Sequence, residues 1–255
     1  MTPTDEWHLN TAYLGNRVFV FDRLDSTNSF ALSLANDAAN DGLVIVADEQ
    51  TAGRGQHGRQ WSCPGGSGVL MSVLLFPPPH LRRPAILTSW AAVSVCELIL
   101  KNTGLKATIK WPNDVLIDNR KVCGILIEQK GGTVAGIGLN VNQPAEYFVE
   151  AGLPLAASLG MLMQRQQSTR DVARQLIAEL DTQYGQLFQG DTGTLERKWA
   201  KCLGLAGQQV RLETSSTIHH GLLLALTFEA LTLLLPDGTT LNLTPETVRH
   251  LYCHP

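Results

Sequence analysis

Within residues 108–141, four strand-forming runs (108–111, 115–117, 121–128 and 134–141) follow one another closely. The turn signals between the last three runs are Asp118-Asn119-Arg120 and Gly131-Gly132. Connections this short join antiparallel neighbours, because a parallel return needs a crossover of roughly a dozen residues or more. The stretch therefore predicts a block of antiparallel sheet around which the rest of the chain is laid.

Upstream, residues 43–47 and 69–76 read as buried strands, with a glycine-rich stretch over 53–68 that must be a long loop. Asp25-Ser26-Thr27-Asn28 places capping residues ahead of apolar positions at Phe30, Ala31, Leu34, Ala35 and Ala38. That spacing predicts a helix with Ser26 and Thr27 at its start. Residues 85–101 are long and apolar enough for a buried helix, stopped by 102–104. Ser168-Thr169-Arg170-Asp171 matches a capping box, and Val172, Leu176, Ile177, Leu180, Tyr184, Leu187 and Phe188 then repeat at helical spacing. From about Gly204 the texture changes to short strands over 209–213, 221–227, 230–235 and 239–243, with Pro236-Asp237-Gly238 as a hairpin turn. The predicted organisation is an α+β domain over 1–204 followed by a small β-barrel module over 205–255.

Composition excludes several classes. A formal net charge of −3 gives no footprint for nucleic acid. The five cysteines, Cys63, Cys96, Cys123, Cys202 and Cys253, are odd in number and show no C-x-x-C pair, which argues against a disulfide framework or a zinc knuckle. The N-terminus is acidic and lacks an apolar leader, and no apolar run reaches the roughly 18 residues of a membrane span. The expectation is a cytoplasmic protein without membrane contact. His219-His220 and His250-x-x-x-His254 sit in the β module without cysteine or carboxylate at ligand spacing, so no metal site is expected there.

Gly53-Arg54-Gly55-Gln56-His57-Gly58 satisfies G-x-G-x-x-G, the pattern of a dinucleotide-binding turn. Such a turn opens directly into a helix, whereas this chain continues Arg59-Gln60-Trp61-Ser62-Cys63-Pro64-Gly65-Gly66, which cannot start one. Arg54 and Arg59 instead bring permanent charge to a glycine-lined backbone, a combination suited to closing over a phosphate or mixed anhydride. Trp61 beside them offers a face on which an adenine can stack.

A second constellation is Lys110-Trp111-Pro112-Asn113-Asp114, followed by Lys121-Val122-Cys123-Gly124-Ile125-Leu126-Ile127-Glu128. Taken singly, Lys110 and Lys121 read as solvated strand-edge lysines, and Asn113 and Asp114 as turn formers.

Together these motifs resemble the signatures of the biotin protein ligases: G-R-G-x-x-G-R-x-W, then K-W-P-N-D followed by K-x-x-G-I-L-x-E. Ser26-Thr27-Asn28, Gln50 and Gly136-Ile137-Gly138-Leu139-Asn140-Val141-Asn142 fall in the family's order, so the resemblance covers roughly residues 22–204. The terminal module looks like the family's small SH3-like domain. The resemblance implies a class II synthetase-like mixed β-sheet flanked by helices. It also implies that Ser26, Thr27, Asn28 and Gln50 line a biotin pocket with the backbone around Gly124 and Leu126. Gly53, Arg54, Gly55 and Gln56 would belong to a loop that orders over biotin and its activated intermediate. Arg59, Asn113 and Asp114 would serve ATP, Trp61 and Asn140 the adenine, and Lys121 the phosphate.

Lys121 and Arg54 are then the expected catalytic residues, acting by positioning and electrostatics without a covalent enzyme intermediate. Biotin and ATP are the expected substrates, with magnesium held mainly by the triphosphate. The expected partner is the biotin carboxyl carrier protein of acetyl-CoA carboxylase or a similar biotin-accepting domain. Edge-strand homodimers occur in the family, and the sequence leaves that possibility open here.

Two departures stand out. Many members carry a run of arginines where this chain has Gln56 and His57, so the loop is less positive by about two charges. Only about 25 residues precede Ser26, too few for the winged helix-turn-helix domain of some relatives; the expectation is a ligase without DNA binding. The competing readings are a lipoate or octanoate ligase and a non-catalytic sensor of biotin or nucleotide.

Overall fold

A computed structural model describes residues 2–253; His254, half of one histidine pair noted above, lies outside them. The strands of the larger unit are β1 (Asp5–Trp7), β2 (Val18–Leu24), β3 (Val44–Gln50), β4 (Gly68–Leu75), β5 (Thr108–Lys110), β6 (Asp114–Ile117), β7 (Arg120–Lys130) and β8 (Gly132–Asn140). They form one eight-stranded sheet in the order β1-β2-β3-β4-β8-β7-β6-β5. The sheet is mixed: β2 and β3 pair in parallel, and their crossover carries α1 (Thr27–Ser33), while the other pairings are antiparallel.

The antiparallel block read from the sequence is β5 to β8, and its turns work as their residues require. Asp118 and Asn119 both take positive φ, 48° and 59°, as the centre of a two-residue hairpin must, and Gly131 does the same at 74°. The strands lengthen beyond the runs read from the sequence because β7 and β8 stay paired as far as Lys130 and Gly132.

The two faces of the sheet differ in kind. On one face Val44 and Val46, Val69, Met71 and Val73, and Ala135, Ile137 and Leu139 alternate into the main core. That face is covered by α2 (Pro84–Thr103), which begins with Pro84 in its first turn and stops at Gly104 with φ 71°. Beside it lies α5 (Thr169–Phe188), capped by Ser168, whose hydroxyl accepts from the Asp171 N–H at 3.2 Å. The intervening positions Ile45, Ala47, Leu74 and Val134 face the other way, into a smaller core under α1.

Several elements escape the sequence reading. The lead before Ser26 contains β1 and β2. The apolar positions out to Ala38 do not continue α1, which ends at Ser33; Asp37 instead caps a separate 3-10 turn over Ala38–Asn40. Three helices went unread: α3 (Ala145–Glu150), α4 (Leu159–Met163) and α6 (Thr192–Leu203).

The C-terminal strands β9 (Gln209–Glu213), β10 (Ile218–Leu226), β11 (Leu231–Leu234), β12 (Thr240–Leu243) and β13 (His250–Cys253) form a five-stranded antiparallel sheet in the order β12-β11-β10-β9-β13. This unit is bolted to the larger one. Trp111 Nε1 donates to the Val248 carbonyl at 2.9 Å, and Trp199 stacks on Phe228 with centroids 5.2 Å apart. Arg83 donates to the Phe228 carbonyl and pairs with Glu229 and Glu246 at 2.9 and 3.0 Å.

The segment leading into β2 is held by one side chain. Buried Asp181 on α5 accepts the backbone N–H groups of Ala12, Tyr13 and Leu14 at 3.0, 2.7 and 2.8 Å. Replacing it strands three donors, so Asp181→Ala should lower the unfolding free energy by about 2–4 kcal/mol, read as a shift in the urea midpoint. An unchanged midpoint would show that the three donors find other partners.

Candidate active site

Gly136 and Gly138 lie two apart on β8 and face the α1 side, and cross-strand pairing sets Gly124 of β7 opposite Gly138. A side chain at any of the three would displace a neighbour. A Cβ on Gly136 would collide with the Asn28 amide, one on Gly138 with the Trp61 indole, and one on Gly124 would come within 2.8 Å of Trp61 Cζ3. The missing side chains leave a bare strip of sheet, the floor of a cavity of about 350 Å³ between α1, β7, β8 and the glycine-rich loop.

At the α1 end the wall is neutral and polar, with its groups fixed on one another. Ser26 caps α1, its hydroxyl accepting from the Ser29 N–H at 3.4 Å. The Thr27 N–H and hydroxyl both donate to Gln50 Oε1, at 2.7 and 3.0 Å. The Ser72 hydroxyl lies 2.6 Å from Asn28 Oδ1 and 2.8 Å from Thr27 Oγ1, while Asn28 Nδ2 donates to Glu128 Oε2 at 2.9 Å.

The opposite end is cationic. Lys121 Nζ lies 2.7 Å from Asp114 Oδ1 and 5.5 Å from the centroid of the Trp61 ring. Asn113 Nδ2 donates to the Ile125 carbonyl at 2.8 Å, fixing the turn that delivers Asp114. Asn140 is pinned as well, donating to the Ala157 carbonyl at 3.1 Å and accepting from Gln143 at 3.0 Å. The backbone of Lys121 pairs with the segment after α3, its N–H donating to Leu155 at 2.7 Å and its carbonyl accepting from Ala157 at 2.9 Å. That segment supplies Phe148, Leu153 and Ala156 to the wall.

The glycine-rich loop is not a slack connection. Arg54 and Gln60 form an antiparallel bridge, the Gly55 N–H donates to Arg59 at 2.8 Å and the Trp61 N–H to Gly53 at 3.0 Å. At the tip His57 and Gly58 both have positive φ, 56° and 75°, the signature of a tight hairpin turn, and glycine carries the second position without strain. The loop therefore stands over the cavity as a miniature hairpin, with Arg54 ion-paired to Glu128 and Ser62 accepting from the Tyr147 hydroxyl at 3.0 Å. Trp61 Nε1 is buried without a hydrogen-bond partner, its indole lying against the backbone at Gly138.

Nucleophilic thiol chemistry has no support in the wall. Burial pushes the Cys63 and Cys123 thiols above their ordinary range, with hydrogen bonds from Ser67 and Gln143 only partly offsetting this at Cys63.

Of the residues expected at the site, Ser26, Thr27, Asn28, Gln50, Arg54, Gly55, Gln56, Arg59, Trp61, Asn113, Asp114, Lys121, Gly124, Leu126 and Asn140 all line this cavity. Gly53 does not; it forms the base of the loop, packed too closely against the Trp61 carbonyl and Gln50 for a side chain. The sequence reading gave no site role to Ser72, Glu128, Gly136, Gly138, Phe148, Leu153 or Ala156. Two glycines at strand spacing were the available signal for the floor; nothing local marks Ser72, which the β4-β8 pairing sets opposite Gly136.

The model of the biotin/lipoate A/B protein ligase family matches residues 20–143. The chain is 33% identical over 233 residues to the bifunctional ligase/repressor BirA of Bacillus subtilis, covering 89% of this chain and 71% of that one. It is 33% identical over 226 residues to the biotin--[acetyl-CoA-carboxylase] ligase of Mycobacterium tuberculosis, covering 83% and 82%. Among solved structures, the biotin protein ligase of Aquifex aeolicus in complex with biotin and ATP superposes with a TM-score of 0.78 at 25% identity, over 93% of this chain and 99% of that one. With this cavity and these relatives, the chain belongs to the biotin/lipoate A/B protein ligase family, among its biotin protein ligases.

Proposed function

We propose that this protein condenses biotin with ATP to biotinyl-5′-AMP and pyrophosphate, then passes the biotinyl group to a lysine of an acceptor domain with release of AMP. One observation carries the reading: a single cavity is lined both by a neutral polar cluster, at Thr27, Asn28 and Gln50, and by three cationic side chains, Arg54, Arg59 and Lys121, over a floor without side chains. The neutral end suits a ureido ring, whose N–H and carbonyl groups need fixed partners. The cationic end suits the carboxylate and phosphate that must meet for adenylation.

In the first half-reaction a carboxylate oxygen of biotin attacks the α-phosphorus, and the bond to the pyrophosphate oxygen breaks. Lys121 and Arg54 hold positive charge where negative charge gathers, which is positioning and electrostatic stabilisation rather than covalent catalysis. The Trp61 ring is placed to stack an adenine, with Asn140 beside it. Asp114 is the acidic residue of the wall, and no group of three or more histidine, cysteine or carboxylate side chains able to hold a metal occurs among the described residues. Magnesium would thus ride chiefly on the triphosphate, with Asp114 the residue to help hold it, and would supply charge neutralisation there.

In the second half-reaction the acceptor amine attacks the carbonyl of the mixed anhydride, and the bond to the phosphate oxygen breaks. The hairpin over the cavity limits water's access to that anhydride. The acceptor is the biotin carboxyl carrier protein of acetyl-CoA carboxylase or a similar domain. A cytoplasmic setting belongs to the same proposal, supported by five cysteines that form no disulfide.

The direct test is incubation with ATP, magnesium and either biotin or lipoate, following acyl-AMP by mass spectrometry and pyrophosphate release. Biotinyl-AMP is the expected product; lipoyl-AMP alone would move the substrate to the lipoate branch, and neither product would leave a non-catalytic sensor. Lys121→Ala should slow adenylate formation about a hundredfold or more, and a near-normal rate would remove Lys121 from the chemistry. With glutamine at position 56 the hairpin lacks one positive charge facing the adenylate, so Gln56→Arg should lower the rate at which biotinyl-AMP dissociates. An unchanged dissociation rate overturns that assignment.

A further inference from the structure

The Glu128 carboxylate is absorbed by none of the roles above, yet one of its oxygens joins two parts of the site. Oε2 accepts from Asn28 Nδ2 at 2.9 Å and is also the atom that pairs with Arg54 Nη2. Asn28 belongs to α1 and the neutral end of the cavity; Arg54 belongs to the hairpin above it. Among the described residues the pair with Glu128 is the one side-chain hydrogen bond of Arg54, and Glu128 stands on β7, where it pairs with Val134 of β8. The hairpin is thus moored to the rigid sheet through this carboxylate.

We propose that Glu128 is a positioning residue that acts through Arg54. Its ion pair latches the glycine-rich hairpin closed and orients the guanidinium toward the reacting carboxylate and phosphate. The chemistry of the two groups permits this division of labour. A guanidinium has several N–H donors in one plane, so pairing through one terminal nitrogen holds the group near Glu128 and leaves its other donors free for a substrate oxyanion. The shared oxygen also makes the latch sensitive to the pocket: a ligand that moves the Asn28 amide alters the acceptor on which Arg54 rests. Glu128 and Arg54 are both partly exposed, with side chains 27% and 39% accessible, so the pair is strong enough to bias the hairpin and weak enough to open.

The inference rests on the ligase reading for its catalytic half and stands without it for its conformational half, and the experiment separates the two. Glu128→Gln keeps the size of the side chain and an oxygen to accept from Asn28 while removing the charge that pairs with Arg54. In the ligand-free protein, trypsin should cut after Arg54 and Arg59 about two- to fivefold faster in Glu128→Gln than in the native chain, because cleavage follows the population of the open hairpin. Thermal unfolding run alongside shows whether the variant remains folded; Glu128→Asp serves in its place if it does not, since a shorter carboxylate also loses the contact.

For the catalytic half, the initial rate of pyrophosphate release at saturating ATP is measured for the native chain, Glu128→Gln, Arg54→Ala and the double variant. A role exercised through Arg54 predicts a loss of about tenfold in kcat/KM for biotin from Glu128→Gln in the native background and almost none in Arg54→Ala. Equal losses in both backgrounds would overturn the positioning role and assign Glu128 to Asn28 alone. Unchanged tryptic cleavage would overturn the latch. A native chain that releases no pyrophosphate would refute the ligase reading while leaving the cleavage result to decide the latch.

Discussion

Hydrogen bonding between β7 and β8 puts Gly124 opposite Gly138 and Leu126 opposite Gly136, and the pleat turns all three glycines to the face that α1 partly covers. A sheet normally fills such a face with side chains that pack against a helix. Here the strip is bare, so Trp61 and Asn28 approach the backbone itself, and the space between them becomes the cavity. Everything that gives the site its character is arranged around that strip: the polar cluster that Ser72 helps to orient, the cationic end beyond Trp61, and the hairpin above. The opposite face could afford no such gap, because Val122, Cys123, Ile125, Ala135, Ile137 and Leu139 are committed to the main core under α2 and α5.

This division explains which parts of the molecule were legible in sequence. Ser168 before a long amphipathic repeat, the apolar run ending at Gly104, and Asp118-Asn119 between strands are local signals, and each produced the element it specified. The N-terminal strands were not legible: β1 has three residues, and β2 places two exposed residues side by side, Asp22 and Arg23, which breaks its alternation. The same holds for β13, whose pattern of one buried residue among four carries no period. These strands exist because a neighbour's unpaired edge was waiting for them, a fact that lives in the tertiary structure.

Most of the candidate site was legible for a different reason. Arginine on a glycine backbone can be read directly as an anion-binding loop, whereas Asp114 and Lys121, and Ser26, Thr27, Asn28, Gln50 and Asn140 outside the two motifs, gained their roles through the resemblance to the biotin protein ligases. What the motifs withhold is how the groups are tied together. Asp114 and Lys121 are separated by a full hairpin turn and meet only because β6 and β7 pair. Ser72 comes from a strand with no motif at all. The hairpin order of the glycine-rich loop was equally hidden, since it rests on backbone hydrogen bonds from Gly55 to Arg59, Arg59 to Gln56 and Trp61 to Gly53 that no residue type announces.

That hairpin has a thermodynamic meaning. A disordered loop that closes over a ligand surrenders backbone entropy at about 1–2 kcal/mol per residue at that moment, and the loss is subtracted from affinity. In this chain the residues from Gly53 to Trp61 already share internal hydrogen bonds, so much of that loss was met when the protein folded. Closure becomes the swing of one small body about its two attachments rather than the condensation of many torsions. Arg54 and Trp61 stand at the two legs of the same body, so in the proposed reaction the guanidinium and the aromatic face would reach the substrate as a single binding event rather than two.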